Sequence, residues 1–444
     1  MVIPKNVETI GIYIPLSRRV RPVKLARGFS ETITLIPELS FMAGPLAHLK
    51  VLDLSRVLAG PWAGQILGDL GAEVIKVERP GTGDDTRGWG PPYLRDGEGR
   101  QSHEAAYYLA ANRNKRSIAI DLANEEGQKI IKEMTAGVDV VLENFKVGGL
   151  RTYGLDYESL KAVNPELVYC SITGFGQDGP YADRAGYDFI VQAMSGLMSI
   201  TGAPDGPPTK VGTAVADLTT GMYAVIGILA ALSHRDRTGE GQYIDMALLD
   251  TQMSWLANQN MNYLVGGTSP GRSGNAHPNI VPYQDFETAD GHIIVAVGND
   301  RQFARFAHAI GAPELAHNRS FETNEGRVRH RDTLVPAIAA RMKERSTAHW
   351  TDVLEAAGIP HGPIHTVGEA FADPQAIHRG MTVEMDHPLG VTLASVANPI
   401  RMSATPPDYR RPPPMLGQHT DELMAELGFD AKEVARLRKA GVIG

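Results

Sequence analysis

From Leu49 onward, short runs of apolar and β-branched residues alternate with longer stretches whose apolar positions recur every three to four residues. The runs VLDLS (51–55), EVIKVE (73–78), SIAIDL (117–122), DVVLENF (139–145) and LVYCSI (167–172) predict strands. Between them PWAGQILGDL, HEAAYYLAAN and EEGQKIIKEMTAG predict helices. Such alternation builds βαβ units, so the expected fold class is α/β, a Rossmann-like domain around a mostly parallel sheet. After residues 242–249 the texture changes. DTQMSWLANQNMNYLVGG reads as helix and runs into the Gly/Pro/Asn-rich PGRSGNAHPNIVPY, a linker or active loop. YQDFETADGHIIVAVG then predicts a hairpin turning at ADG, and FARFAHAIG, RDTLVPAIAARMKE and TAHWTDVLEAAG are amphipathic. TVEMDHPLGVTLASVANPIRMS returns to strand texture before a Pro-rich connector and capped C-terminal helices.

These shifts divide the chain into an extension (1–41), a large Rossmann-like domain (42–250), a linker helix with a glycine-containing loop (251–280), a second, smaller α+β domain (281–375) and a C-terminal segment returning to the large domain (376–444). The extension mixes Arg18, Arg19, Arg21, Lys24 and Arg27 with Glu8, Glu31 and Glu38, whereas a transit peptide is poor in acids. It is read as a disordered extension, with the folded unit beginning at Met42.

One apolar stretch carries a lone acid. In VGTAVADLTTGMYAVIGILAAL (211–232), Asp217 precedes a long apolar run, and Asp is a favoured helix N-cap. The same position suits a nucleophile, because N–H groups and the positive end of a helix hold a carboxylate ionised. Asp188, in AGYDFIVQAMSGL, competes for both roles, and residue pattern alone does not rank the two.

Composition narrows the classes. The 444 residues are 43% hydrophobic and 21% charged, and 43 Lys+Arg against 51 Asp+Glu give a net charge of −8 with no basic cluster, which argues against nucleic acid. Cys170 is the sole cysteine, so no intrachain disulfide forms, and a reducing, cytoplasmic location is expected, or the mitochondrial matrix if residues 1–41 are a transit peptide. The run MYAVIGILAAL is about half the ~20 residues of a membrane span and reads as a buried helix, so no membrane partner is expected.

Familiar motifs are missing or fail on chemistry. No GxGxxG opens a helix after the first strand, and no GxxxxGK[ST] occurs. GTSPG (267–271) matches a nucleophile elbow, but Pro270 lacks the N–H that the oxyanion hole needs. HGPIH sets Gly and Pro between His361 and His365, which is not a helical ligand pair, so no metal site is expected.

From Met42 on, the chain resembles the class III CoA transferases, a family that includes α-methylacyl-CoA racemases and the carnitine and bile-acid CoA transferases. The resemblance is carried by LDLSRVLAGPWAGQILGDLGAEVIKVERPGTGDDTRGW, NRNKRSIAIDL, VVLENFKVGGLRTYGLDY, ITGFGQDGPYADRAGYDF, the Asp217 stretch and LGQHTDELMAELG. It implies that Asp217 is the nucleophile and that the position of Tyr187 separates the branches: racemases read GHD where this chain reads GYD. Proton removal and return near neutrality suit histidine. Tyrosine, with a pKa of about 10, is a poor base at pH 7, which favours transfer over the racemase or epimerase alternative.

The mechanism so implied is covalent. Asp217 attacks the donor thioester, CoA thiolate then attacks the aspartyl carbonyl, and the resulting aspartyl-CoA thioester passes CoA to the acceptor acid. The loop Gly271–Asn279, with Gly274 in it, is expected to supply oxyanion donors and shield the site. By motif position, CoA would meet Leu58, Ala59, Arg79, Ile120, Asn144, Phe145 and Lys146, together with Arg151 and Arg184 as looser matches. CoA thioesters are expected as substrates with no tightly bound cofactor. GYDF, MSITGAPDGPP and GNAHPNIVPYQDF look most like the succinyl-CoA:glutarate branch, whose distal carboxylate Arg272, Arg56 or His277 could pair. An interlocked homodimer is expected from the resemblance.

Overall fold

A computed structural model describes residues 44–444, so the extension at 1–41 and Met42 lie outside the described residues. In chain order the first strands are β1 (Lys50–Asp53), β2 (Glu73–Glu78), β3 (Tyr93–Arg95), β4 (Gln101–Ala105), β5 (Lys115–Ala119), β6 (Val140–Glu143), β7 (Val168–Thr173) and β8 (Tyr243–Ala247). The intervening helices are α1 (Ala59–Asp69), α2 (Ala106–Leu109), α3 (Glu125–Thr135), α4 (Tyr157–Lys161), α5 (Asp188–Met194), α6 (Leu197–Ile200) and α7 (Val215–Thr238), followed by α8 (Leu248–Trp255) and α9 (Asn258–Gly266).

Six of these strands form one parallel sheet in the order β5-β2-β1-β6-β7-β8. With the β3/β4 hairpin set aside, this is the Rossmann order, and its direction reverses between β1 and β6. Both faces are covered, as a parallel sheet requires. Leu52 of β1, Val141 of β6 and Tyr169 of β7 pack with Ile130, Ile131 and Met134 of α3 on one face. Their neighbours Val51, Val140 and Cys170 pack on the other with Ala63 and Leu67 of α1 and with Ala224 and Ile228 of α7. Helix α7 is long and apolar enough to cross a bilayer by length and composition alone. Here it is the central packing helix: a Cβ on Gly221 would stand 2.6 Å from Ala59 O, so α7 and α1 touch backbone to backbone.

The remaining sheets are small. β9 (Tyr283–Glu287), β10 (His292–Ala296) and β11 (His361–Pro363) form an antiparallel sheet around a separate core of Phe286, Val295, Phe303, Phe306 and Trp350. β12 (Thr382–His387) pairs with β13 (Val391–Val396). The last helices, Thr420–Glu426 and Ala431–Lys439, bring Leu423 and Leu437 onto the α3 face, and Ile443 bridges Ile120.

The structure corrects several element assignments. HEAAYYLAAN is not one helix: His103–Ala105 pair in β4 and only Ala106–Leu109 are helical, because Glu104 is drawn inward to Arg87 at 2.8 Å. The strand expected over 117–122 lies at Lys115–Ala119. DTQMSWLANQNMNYLVGG breaks at Ala257, whose φ of 48° ends one helix before the next. Asp217 is not the cap of its helix, which begins at Val215 behind Ala214.

The sheet also buries charge. Asp53, Lys76, Glu78 and Lys115 sit within β1, β2 and β5 and are nearly inaccessible. Each is satisfied: Lys115 Nζ donates to Asp53 Oδ2, Pro61 O and Asn112 Oδ1 at 2.8–2.9 Å. Glu78 receives Arg87 Nε and Nη2, both at 2.8 Å. Removing one partner strands the other in the interior. Lys115→Ala is therefore expected to destabilise the protein by about 3–5 kcal/mol, read as a lowered midpoint in urea unfolding.

Candidate functional site

In open α/β sheets the crevice forms beyond the carboxyl ends of the strands where strand order reverses. Two adjoining cavities occupy that place. The larger, about 460 Å³, is walled by Leu58 and Ala59 after β1, by Asn144, Phe145 and Lys146 after β6, and by Arg184, Tyr187 and Asp217. The smaller, about 150 Å³, lies beyond β2 and β5 and is walled by Arg79, Ile120, Asp121 and Tyr153. Arg56, Asp85 and Phe145 line both, so they form the passage between them. Arg56 lies 5.5 Å from the Phe145 ring centroid and 3.0 Å from Asp85.

Asp217 stands in the first turn of α7, three residues inside it, and its carboxylate faces the larger cavity. The carboxylate that does cap this helix comes from another element: Asp188 Oδ1 accepts the Ala216 N–H at 2.8 Å. Asp188 Oδ2 in turn accepts from Gln192 Nε2 at 2.7 Å, and Gln192 Oε1 accepts from Val211 N at 2.9 Å. The competition between the two acids thus resolves by division of work. Asp188 orients the helix end, and Asp217 keeps its oxygens for the cavity.

The helix terminus alone does not keep Asp217 ionised. Burial, and then the neighbouring Asp188 charge, push its pKa up to about 7. Such a carboxylate holds its proton more readily than a solvated one and, once ionised, is more nucleophilic. Tyr187 precedes Asp188, is 62% exposed and lines the same cavity. Two glycines bring that segment in: a Cβ on Gly186 or Gly174 would collide with the other's Cα, so the backbones are in contact.

Several expected residues lie elsewhere. Arg151 is 78% exposed beside Asp156 and lines neither cavity. The loop Gly271–Asn279 borders, through Gly271, Arg272, Ser273 and Asn279, a third cavity of about 480 Å³ rather than the one holding Asp217, and Gly274 lines neither. The loop is tied to the 202–206 turn: Gly274 N donates to Gly202 O at 3.0 Å and Arg272 Nη2 to Gly206 O at 2.7 Å. Of the three cations proposed for a distal carboxylate, Arg56 lines the Asp217 cavity, Arg272 the third, and His277 rests against Tyr283 at 5.3 Å. Ser269 of GTSPG follows α9, a helix, and His361 lies in β11 with Nδ1 2.8 Å from Ile359 O.

Sequence reading missed Asp84, Asp85, Trp89 and Tyr153 as cavity residues. Their signal was available in part: GTGDDTRGW packs acids and an aromatic directly after a strand, where a crevice loop belongs. Asp84 is fully buried; burial alone would raise its pKa, but Lys76 at 2.8 Å brings it down to about 2.

Comparison with known proteins shows the family. Residues 46–420 match CoA-transferase family III. The succinate–glutarate CoA-transferase of Agrobacterium fabrum is 53% identical over 86% of this chain and 96% of its own. Human succinyl-CoA:glutarate CoA-transferase is 47% identical over 90% of each. The crystal structure of a CAIB/BAIF family protein from Brucella suis superposes with a TM-score of 0.76 at 52% identity, over 87% of this chain and all of that one.

The raised Asp217 pKa has a sign that can be checked. The folded chain holds this proton more tightly than the unfolded chain, where aspartate titrates near 4, so folding stability falls as pH rises from about 4 to about 7. Asp217→Asn removes that loss. Its unfolding midpoint is expected to exceed the parent's at pH 8, with the gain shrinking towards pH 4; a constant offset across the range would contradict the assignment. Asp188→Asn keeps an acceptor for Ala216 N and removes a charge, so it should lower the pH at which Asp217 titrates, read by infrared difference spectroscopy against Asp217→Asn.

Proposed function

The chain belongs to CoA-transferase family III, and we propose that it moves CoA from succinyl-CoA to glutarate through covalent chemistry at Asp217. The observation that carries the site is Asp217 itself: a carboxylate without a hydrogen-bonding partner among the described residues, facing a 460 Å³ cavity beyond the strand ends of a Rossmann-order sheet. The donor and acceptor follow from the relatives, which are named for succinate or succinyl-CoA with glutarate. Those names do not favour a racemase, and GYD in place of GHD agrees.

The chemistry follows from the groups present. The ionised Asp217 oxygen attacks the succinyl thioester carbonyl, the carbon–sulfur bond breaks, and CoA leaves as thiolate with a succinyl-aspartyl anhydride behind. The thiolate attacks the aspartyl carbonyl of that anhydride, which expels succinate and leaves an aspartyl-CoA thioester. Glutarate repeats the two steps in reverse order, so no proton is consumed and no oxidant is needed. CoA's adenosine end suits the smaller cavity, with Arg79 at its rim, and its pantetheine arm suits the passage past Phe145 to Asp217. Arg56, which lines both cavities, is the candidate cation for a phosphate or a distal carboxylate, beside Lys146 and Arg184 of the larger cavity.

Phe189, Ile226, Leu264 and Val265 leave apolar surface exposed on α5, α7 and α9, which supports a homodimer. A single buried Cys170 suits a reducing compartment such as the cytoplasm.

Incubation with succinyl-CoA followed by hydroxylamine or borohydride should modify Asp217, read by peptide mass spectrometry, and Asp217→Ala should lower transfer to glutarate by about 10³-fold or more. Modification at Asp188 instead would overturn the site. A 2-methylacyl-CoA in D₂O should gain no α-deuterium; uptake without an acceptor acid would restore the racemase reading.

A further inference from the structure

One segment of the Asp217 cavity wall is held in a conformation its own residue resists. Val57 has φ 71°, the left-handed region, where a β-branched side chain crowds the backbone. Side chains distant in sequence grip the three residues Ser55 to Val57. Lys76 Nζ donates to Ser55 O at 3.0 Å. Asn144 Oδ1 accepts from Arg56 N at 2.8 Å while its Nδ2 donates to Arg56 O at 2.7 Å. Asp84 Oδ1 accepts from Val57 N at 3.3 Å. Four successive backbone polar groups are thus fixed from outside the segment.

The grips are themselves anchored. Lys76 and Asp84 are fully buried and paired at 2.8 Å, and Asp84 Oδ1 also accepts Thr86 N at 3.0 Å and Thr86 Oγ1 at 2.7 Å. Immediately after Val57 come Leu58 and Ala59, which wall the cavity and start α1. A residue kept in a disfavoured backbone region persists only where its surroundings over-determine it, and such residues cluster at ligand sites. Asn144 was expected to touch CoA. Instead, both polar atoms of its side chain are engaged by the Arg56 backbone.

We infer that Asn144, Asp84 and Lys76 are positioning residues that hold Val57 left-handed and so set Leu58 and Ala59 against the ligand, Asn144 acting on CoA through the backbone and not by contact. The choice of CoA as probe rests on the CoA-transfer reading; the fold-level claim does not.

A double-mutant cycle tests it. Glycine adopts positive φ freely, so Val57→Gly removes the need for the grip. By calorimetry, Asn144→Ala is expected to weaken binding of free CoA about tenfold in the parent, but less than about threefold in the Val57→Gly background. Equal losses in both backgrounds would mean that Asn144 contacts CoA directly, and would overturn the inference. Without ligand, Asn144→Ala should also speed amide hydrogen exchange across residues 55–59; unchanged exchange overturns it too. Should Asn144→Ala not fold, Asn144→Ser carries the same cycle. If the parent fails to bind CoA, the transfer reading falls, while the exchange measurement still decides the positioning role.

Discussion

A parallel sheet covered on both faces leaves no solvent for a charge inside it, yet three of its strands here carry Asp53, Lys76, Glu78 and Lys115. Each ion must therefore find its counter-ion or a carbonyl within the fold, and the partners it finds define the crevice end of the sheet. Lys115 ties Asp53 to the first turn of α1 through Pro61 O. Lys76 ties Asp84 to the β1 loop through Ser55 O. Arg87 gathers Glu78, Glu104 and the distant Pro414 O. Because every member needs the others, the loops after β1 and β2 have one arrangement, and the cavities beyond them inherit it.

Asp217 lives under a complementary constraint. It sits in the first turn of a long helix, yet its proton affinity rises, through burial and then the Asp188 charge. Asp188 performs two tasks with two oxygens, capping α7 and binding Gln192. As the proposed nucleophile, Asp217 would have to give up a hydrogen bond to react if it also capped its own helix. Delegating the cap to a second acid leaves the first unencumbered.

Glycine contacts complete the positioning. Gly174 and Gly186 touch, which draws the Tyr187–Asp188 step against the end of β7, and Gly221 lets α7 lie on α1 at the point where Ala59 meets the cavity. The two helix starts that wall the site are thereby fixed relative to the same sheet.

Much of this was legible in the sequence, and the reason is local. Runs such as EVIKVE and DVVLENF encode strands by β-branching, and their order with helices between them encodes a parallel α/β sheet. Motif resemblance singled out Asp217, Tyr187, Leu58, Ala59, Phe145 and Lys146, all of which line one cavity. What sequence left open depended on contacts between distant residues. Whether Asp217 or Asp188 caps α7 turns on a hydrogen bond spanning 28 residues. Asn144 grips Arg56 across 88 residues, the loop Gly271–Asn279 is tied to residues 202–206, and His103–Ala105 join a hairpin despite their helical texture. Periodicity and propensity describe a chain's neighbours along itself; which atom satisfies a buried charge or a strained backbone is decided only when the chain has packed.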